Sequence, residues 1–177
     1  MAETSRHMPT RTAAAKPTAR RTVETVSRTV TADPDIRRWH CRSMTDDEAR
    51  DWITAWPHRW QAETPAGWAV TDTTGVLGQI SLRRIDLAEA EAEVSYWVLP
   101  TARGRRIAAR ALTALTGWSF AEAGLHRVWL RHSTANPASC RVARRAGLAV
   151  EGTNRGAARH ADGWHDMHLH ARLRTDT

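Results

Sequence analysis

The stretch that most constrains the fold is AEAEVSYWVLPTARGRRIAARALTALTGWSFAEAG, residues 90–124. Ala92 to Leu99 alternate and are rich in β-branched and aromatic side chains, which predicts a strand that Pro100 ends. From Arg105 the apolar period changes. Ile107, Ala111, Leu115 and Trp118 fall on one helical stripe, and Gly124 supplies the stop. A strand that turns through a few residues into a long helix must pack one apolar face on the other.

The flanking segments extend this unit into a sheet. GWAVTD and VLGQISLRRI flank Thr73-Thr74-Gly75, a hairpin signal. HRVWLRH reads as a strand. NPASCRVARRAG reads as a short helix, with Asn136 as N-cap, Pro137 at the first helical position and Gly147 after its end. LAVEGTNR and WHDMHLHARL read as strands joined by the loop GAARHADG, and DPDIRRWHCRSM reads as a loop. Upstream, Val23, Val26 and Val30 share a stripe, and Thr45 with Glu48 gives a capping signal for a helix carrying Trp52, Ala55 and Trp56. Antiparallel hairpins combined with a strand–helix–strand crossover define an α+β class: one domain over residues 20–177, with a central mixed, mostly antiparallel twisted sheet flanked by helices. Residues 1–19 read as a basic, disordered arm.

Charge and cysteine usage narrow the function classes. The net charge is +7; residues 1–32 hold six Lys/Arg and two acids, +4, which leaves +3 for the rest. No aromatic residues interleave with the charges of the arm, so the reading assigns no specific nucleic-acid partner. Cys41 and Cys140 form no metal-type pair and are too few for a disulfide scaffold. No apolar run has membrane-spanning length and no secretory signal is legible, which points to a cytoplasmic protein without a membrane partner.

The loop Arg103-Gly104-Arg105-Arg106 has three readings on its own residues: a phosphate cradle, a nucleic-acid patch, or a solvated helix start. His168 and His170 project to one face of their strand with Asp166 beside them, which could hold a metal, but a wet strand face needs none and no metal is assigned. Cys140 reads as core filling rather than a nucleophile.

Order and spacing over Asp33 to Leu173 resemble the GNAT superfamily of N-acetyltransferases, in particular the branch that acetylates N-terminal amines of ribosomal proteins. Arg103 matches the first position of the family's Arg/Gln-x-x-Gly-x-Gly/Ala motif and Ala108 the last, while Arg106 stands where the family has glycine. Asn136 and Ser139 match its Asn-x-x-Ser, and Gly147-Leu148 its helix-ending pair. The resemblance implies acetyl-CoA as cosubstrate. Its pyrophosphate would lie on the backbone from Arg105 to Ala108, with Arg103, Gly104, Arg106 and Ile107 around it. Its pantetheine arm would run along Trp97, Val98 and Leu99, with Asn136 and Ser139 alongside. It also implies Glu93 as general base through a water, Ser139 as hydrogen-bond donor to the departing sulfur, and direct transfer in a ternary complex. Ala143 occupies the position of the family's frequent tyrosine acid.

Trp39, Trp56, Trp60 and His165 fall on the side where relatives take the acceptor. The implied acceptor is a primary amine: a protein N-terminus, a peptide or a small molecule. The implied state is monomer or homodimer. The competing reading is a catalytically inactive module that binds coenzyme A, or nucleic acid through the arm.

Overall fold

The computed structural model describes residues 33–39, 47, 51 and 66–176. The arm, the Val23 and Thr45 helices apart from Asp47 and Asp51, Cys41, Trp56 and Trp60 lie outside the described residues. The described elements are α1 (Pro34–Trp39), β1 (Ala66–Asp72), β2 (Gly75–Asp86), β3 (Glu91–Val98), a 3-10 turn (Pro100–Ala102), α2 (Ile107–Ala121), β4 (Arg127–Ser133), α3 (Pro137–Arg145), β5 (Ala149–His160) and β6 (Gly163–Leu173).

The strands form a six-stranded sheet in the order β1-β2-β3-β4-β6-β5. β1 to β3 are an antiparallel meander whose first turn brings Asp72 opposite Gly75. β3 and β4 are parallel, joined by the α2 crossover, and the remaining pairs are antiparallel. This is the mixed, mostly antiparallel α+β sheet that the sequence predicts. One face carries α2 and α3. Ile80, Leu82, Ala92, Val94, Val128 and Leu130 pack there with Leu112, Leu115 and Ala143 from the helices. The α2 stripe is rotated from the predicted one: Leu112, Thr116 and Ser119 are fully buried, while Trp118 sits half-buried with its ring 5.5 Å from that of Trp68.

Two predicted loops are regular structure instead. Residues 34–39 are helical because Asp33 caps them: its carboxylate accepts the Ile36 N–H at 2.8 Å, and Pro34 takes the first turn, where no donor is needed. The Asp-Pro pair is thus a helix start. GAARHADG is mostly strand, since β5 runs to His160 and only two residues turn before Gly163. β5 is an edge strand, almost wholly exposed, so it shows no apolar alternation. Its register shift between Asn154 and Ala158 absorbs the glycine, whose N–H donates to Asp166 at 2.8 Å.

Ion pairs tie the periphery down. Arg127 bridges Glu91 and Glu151, and the hydrogen bonds from Arg127 hold the Glu151 carboxyl below its usual pKa. Burial pushes the Asp33 carboxyl up, but the Ile36 N–H and the Arg103 guanidinium outweigh it and hold the group low. Both folded-state values lie below the unfolded ones. Their stabilisation is therefore complete above about pH 5, begins to fall near the ordinary carboxylate values, and is lost as pH falls through the depressed ones. The Asp33→Asn/Glu151→Gln double variant is expected to show a flatter acid limb in a Tm profile below about pH 5.

Candidate active site

The sheet opens where β3 and β4 part. The two strands pair only at Glu91–Arg127, Ala92–Val128 and Glu93–Trp129. β3 stays bonded to β2 as far as Val98, and β4 to β6 as far as Ser133. Between them, Val94–Val98 and Leu130–Ser133 face each other without a ladder. An extended polar ligand can enter such a fork as an added strand, using the free backbone groups.

The Arg-Gly-Arg-Arg loop lies at the end of β3, beside the open end of the fork. Leu99 N–H donates to Leu77 at 2.8 Å, and a 3-10 turn follows. Helix α2 begins at Ile107, two residues later than the Arg105 start implied by the sequence, so Arg105 belongs to the loop. No side chain caps the helix and no acid lies in its first turn, so the leading N–H groups keep their donor capacity and positive potential. Gly104 has φ +77 and open space where a Cβ would stand.

The three arginines divide. Arg103 holds Asp33 and Asp35, each at 2.8 Å, and so fastens α1 to the loop. Arg105 pairs with Asp72 at 3.1 Å. Arg106 is exposed and has no partner among the described residues. It sits at the helix cap with φ 59 and ψ 18, the left-handed conformation that glycine adopts freely. The glycine-requiring backbone of the motif is thus present, with a guanidinium in place of the hydrogen. Arg106→Gly is expected to relieve about 1 kcal/mol of backbone strain and raise Tm. With the pyrophosphate at this loop, as the sequence expects, the same variant is expected to weaken coenzyme A binding about tenfold in low-salt calorimetry through loss of a positive charge.

The fork has two sides. On the helix side, the Asn136 carbonyl oxygen accepts the Ser139 N–H at 3.1 Å as the N-cap of α3. Tyr96 reaches the same place: burial pushes its phenol up to about 12, and the Ser139 side chain is the neighbour that favours its ionised form. The Tyr96 hydroxyl nonetheless completes no hydrogen bond of good geometry. Val98 and Leu99 pack with Leu77, Ala102 and Ile107 beneath the loop.

On the opposite side Trp97 is buried against Ile36 of α1. Glu93, four residues back on that face, is 4% exposed and sits among Arg83, Arg84 and Arg131 at 3.8, 3.4 and 3.6 Å. Trp39 meets His160 and His165 edge-on, with ring centroids 6.2 and 6.4 Å away. The Ser133 hydroxyl lies 2.7 Å from Nδ1 of His165, whose Nε2 donates to Asp162 at 2.9 Å. The Asp162 carboxylate only accepts, so the ring carries a proton on Nε2. His160 donates Nδ1–H to the Arg38 carbonyl at 3.0 Å, which leaves its Nε2 lone pair buried and unpartnered.

Residues 16–149 match the acetyltransferase (GNAT) domain family. The chain belongs to this family. A GNAT chain with this fork and loop is also similar to the ribosomal-protein-serine acetyltransferase of Escherichia coli strain K12, 34% identical over 99 residues, which is 55% of each protein. It is 33% identical over 78 residues to the putative ribosomal N-acetyltransferase YdaF of Bacillus subtilis strain 168, covering 44% of this chain and 43% of that one. The matches thus span about half the length of these curated relatives or less. The GNAT fold extends further. A ribosomal L7/L12 alpha-N-protein acetyltransferase in complex with coenzyme A superposes with a TM-score of 0.81 at 20% identity, covering 90% of this chain and 91% of that one. The ribosomal-protein-S5-alanine acetyltransferase of Vibrio fischeri superposes with a TM-score of 0.80 at 18% identity, covering 88% and 90%. No helix among the described residues of this GNAT domain is long and apolar enough to cross a membrane.

Of the site residues named from sequence, the loop, the β3 end, Asn136 and Ser139 surround the fork, and Trp39 meets His165. Tyr96, Ser133, His160 and Asp162 escaped the sequence reading. Alternation places Tyr96 on the helix side, but only strand register brings Ser133 to His165.

Proposed function

We propose that this chain is an acetyl-CoA-dependent N-acetyltransferase whose acceptor is the α-amine of a protein or peptide. The observation that carries the reading is the uncapped start of α2 behind an arginine–glycine loop, set at the end of the β3–β4 fork. A pyrophosphate finds donors and positive potential there, and a pantetheine arm finds free strand edges in the fork. Coenzyme A in a structural neighbour and ribosomal-protein substrates in the names of the relatives support the choice of cosubstrate and acceptor.

In the proposed reaction the thioester carbonyl lies within the fork and the amine arrives from the Trp39 side. Glu93, on that face, takes the amine proton through a water, and Ser139 donates a hydrogen bond to the departing thiolate. Tyr96 beside Ser139 keeps its proton at neutral pH and adds a second donor. His160 is a second candidate for the base, favoured by its unpartnered buried Nε2.

The test is a free-thiol release assay with acetyl-CoA and peptides that begin with serine or alanine, with mass spectrometry to place the acetyl group. Acetylation at the α-amine with intersecting initial-velocity lines is expected. Tight coenzyme A binding without turnover on such peptides would favour an inactive binding module.

A further inference from the structure

The helix side of the sheet holds a second cluster that the acetyl-transfer reading does not use, although its Cys140 neighbours Tyr96 at the fork. His132 on β4, His168 and His170 on β6 and Cys140 on α3 each offer a ligand atom, and these atoms all lie within 4.8 Å of one another. The register explains the meeting: Leu130 pairs with His170 and His132 with His168, while α3 lays Cys140 over them. His132 and His170 are buried, and His168 and Cys140 are half-buried.

The hydrogen bonds of the two buried rings conflict unless something lies between them. Nδ1 of His132 faces the Ser133 carbonyl at 2.8 Å, and Nδ1 of His170 faces the Leu148 carbonyl at 3.3 Å. A carbonyl oxygen only accepts, so both Nδ1 atoms carry the proton. Both neutral rings then present Nε2 lone pairs, and these two atoms face each other at 3.1 Å. Two lone pairs at that distance repel. A proton between them would leave an imidazolium buried beside further imidazoles, which desolvation opposes. A metal ion removes the conflict. Metal-bound histidines characteristically donate the other ring N–H to a carbonyl, as both do here. Metal–nitrogen bonds of about 2.0–2.1 Å give tetrahedral nitrogen–nitrogen edges of roughly 3.3 Å, near the observed separation. Nδ1 of His168 is also buried without a partner.

We propose that His132, Cys140, His168 and His170 form a tetrahedral site for a zinc-type transition-metal ion that pins α3 to β4 and β6. Three imidazoles and one thiolate suit such an ion. Asp166, the acid beside these histidines in sequence, is not part of it: its carboxylate accepts the Gly156 N–H. The ion would brace the helix that presents Ser139 to the fork.

The test uses the full chain, stripped with a chelator and titrated with Zn²⁺ or Co²⁺ alone. The expected result is one ion per chain, a rise in Tm, and a thiolate-to-cobalt charge-transfer band. Cys140→Ser should abolish the band, and His168→Gln should weaken binding by about a hundredfold, with circular dichroism confirming that both fold. X-ray absorption on the zinc-loaded native chain needs no variant and should show one sulfur with nitrogen neighbours. Absence of stoichiometric binding, a shell without sulfur, or equal affinity in folded Cys140→Ser and His168→Gln would overturn the site.

Discussion

Glu93→Gln is expected to lower kcat by about a hundredfold or more while coenzyme A affinity changes little. The reason lies in where the carboxylate sits. It is buried at the last paired position before the fork, on the face that Trp97 shares. It is too far down the strand to touch a nucleotide bound at the loop. Glutamine keeps the volume and an acceptor oxygen for the three arginines, but it cannot take a proton. The measurement is steady-state kinetics beside coenzyme A calorimetry and a melting curve. Unchanged kcat would remove Glu93 as the base. A low kcat in His160→Gln together with an active Glu93→Gln would transfer the role to His160. A fall in Tm without a fall in kcat would make Glu93 a structural anchor for Arg83, Arg84 and Arg131.

Gly78→Ala is expected to cost about 3 kcal/mol, which for a chain of this size lowers Tm by roughly 6–12 °C. Gly78 lies opposite Val98 in the β2–β3 ladder. A Cβ there would collide with the Trp97 carbonyl oxygen and lie 3.1 Å from the Val98 Cα. Both obstacles are backbone, so no rotamer change can relieve them. The strand itself must shift, and it carries Trp97, Val98 and Leu99 toward the loop. Cofactor affinity should fall together with stability. A variant with native Tm and native coenzyme A binding would show that the ladder tolerates the displacement.

The parts of the fold that were legible in the sequence have local signatures. Asn136, Pro137 and Gly147 mark α3 because caps depend on residues within one turn. The β3–loop–α2 unit is legible because its period changes from two to near four across Pro100 and Gly104. The sequence predicts too short a β5 because an exposed edge strand has no apolar face to reveal. α1 was missed because Asp33-Pro34 can end one helix or begin another, and only the carboxylate contact with Ile36 decides. The site was legible where a motif is contiguous. It was not where strand register assembles it: Leu130 opposite His170 and His132 opposite His168 follow from no local pattern. Cys140 invites a nucleophile reading in sequence but has three imidazoles beside it in space.

Arg103 has a consequence beyond its two ion pairs. Asp33 and Asp35 lie on the segment that ends in Trp39, while Arg103 itself belongs to the loop before α2. One guanidinium therefore spans the proposed cosubstrate and acceptor regions. A nucleotide that draws Arg103 toward its phosphates alters the footing of the Trp39 wall, and an amine that presses on that wall alters the loop. Linkage requires the two effects to be equal as free energies. Coupling between cosubstrate and acceptor in the proposed reaction is then a property of this strut, and cutting the strut should uncouple the two affinities without abolishing either.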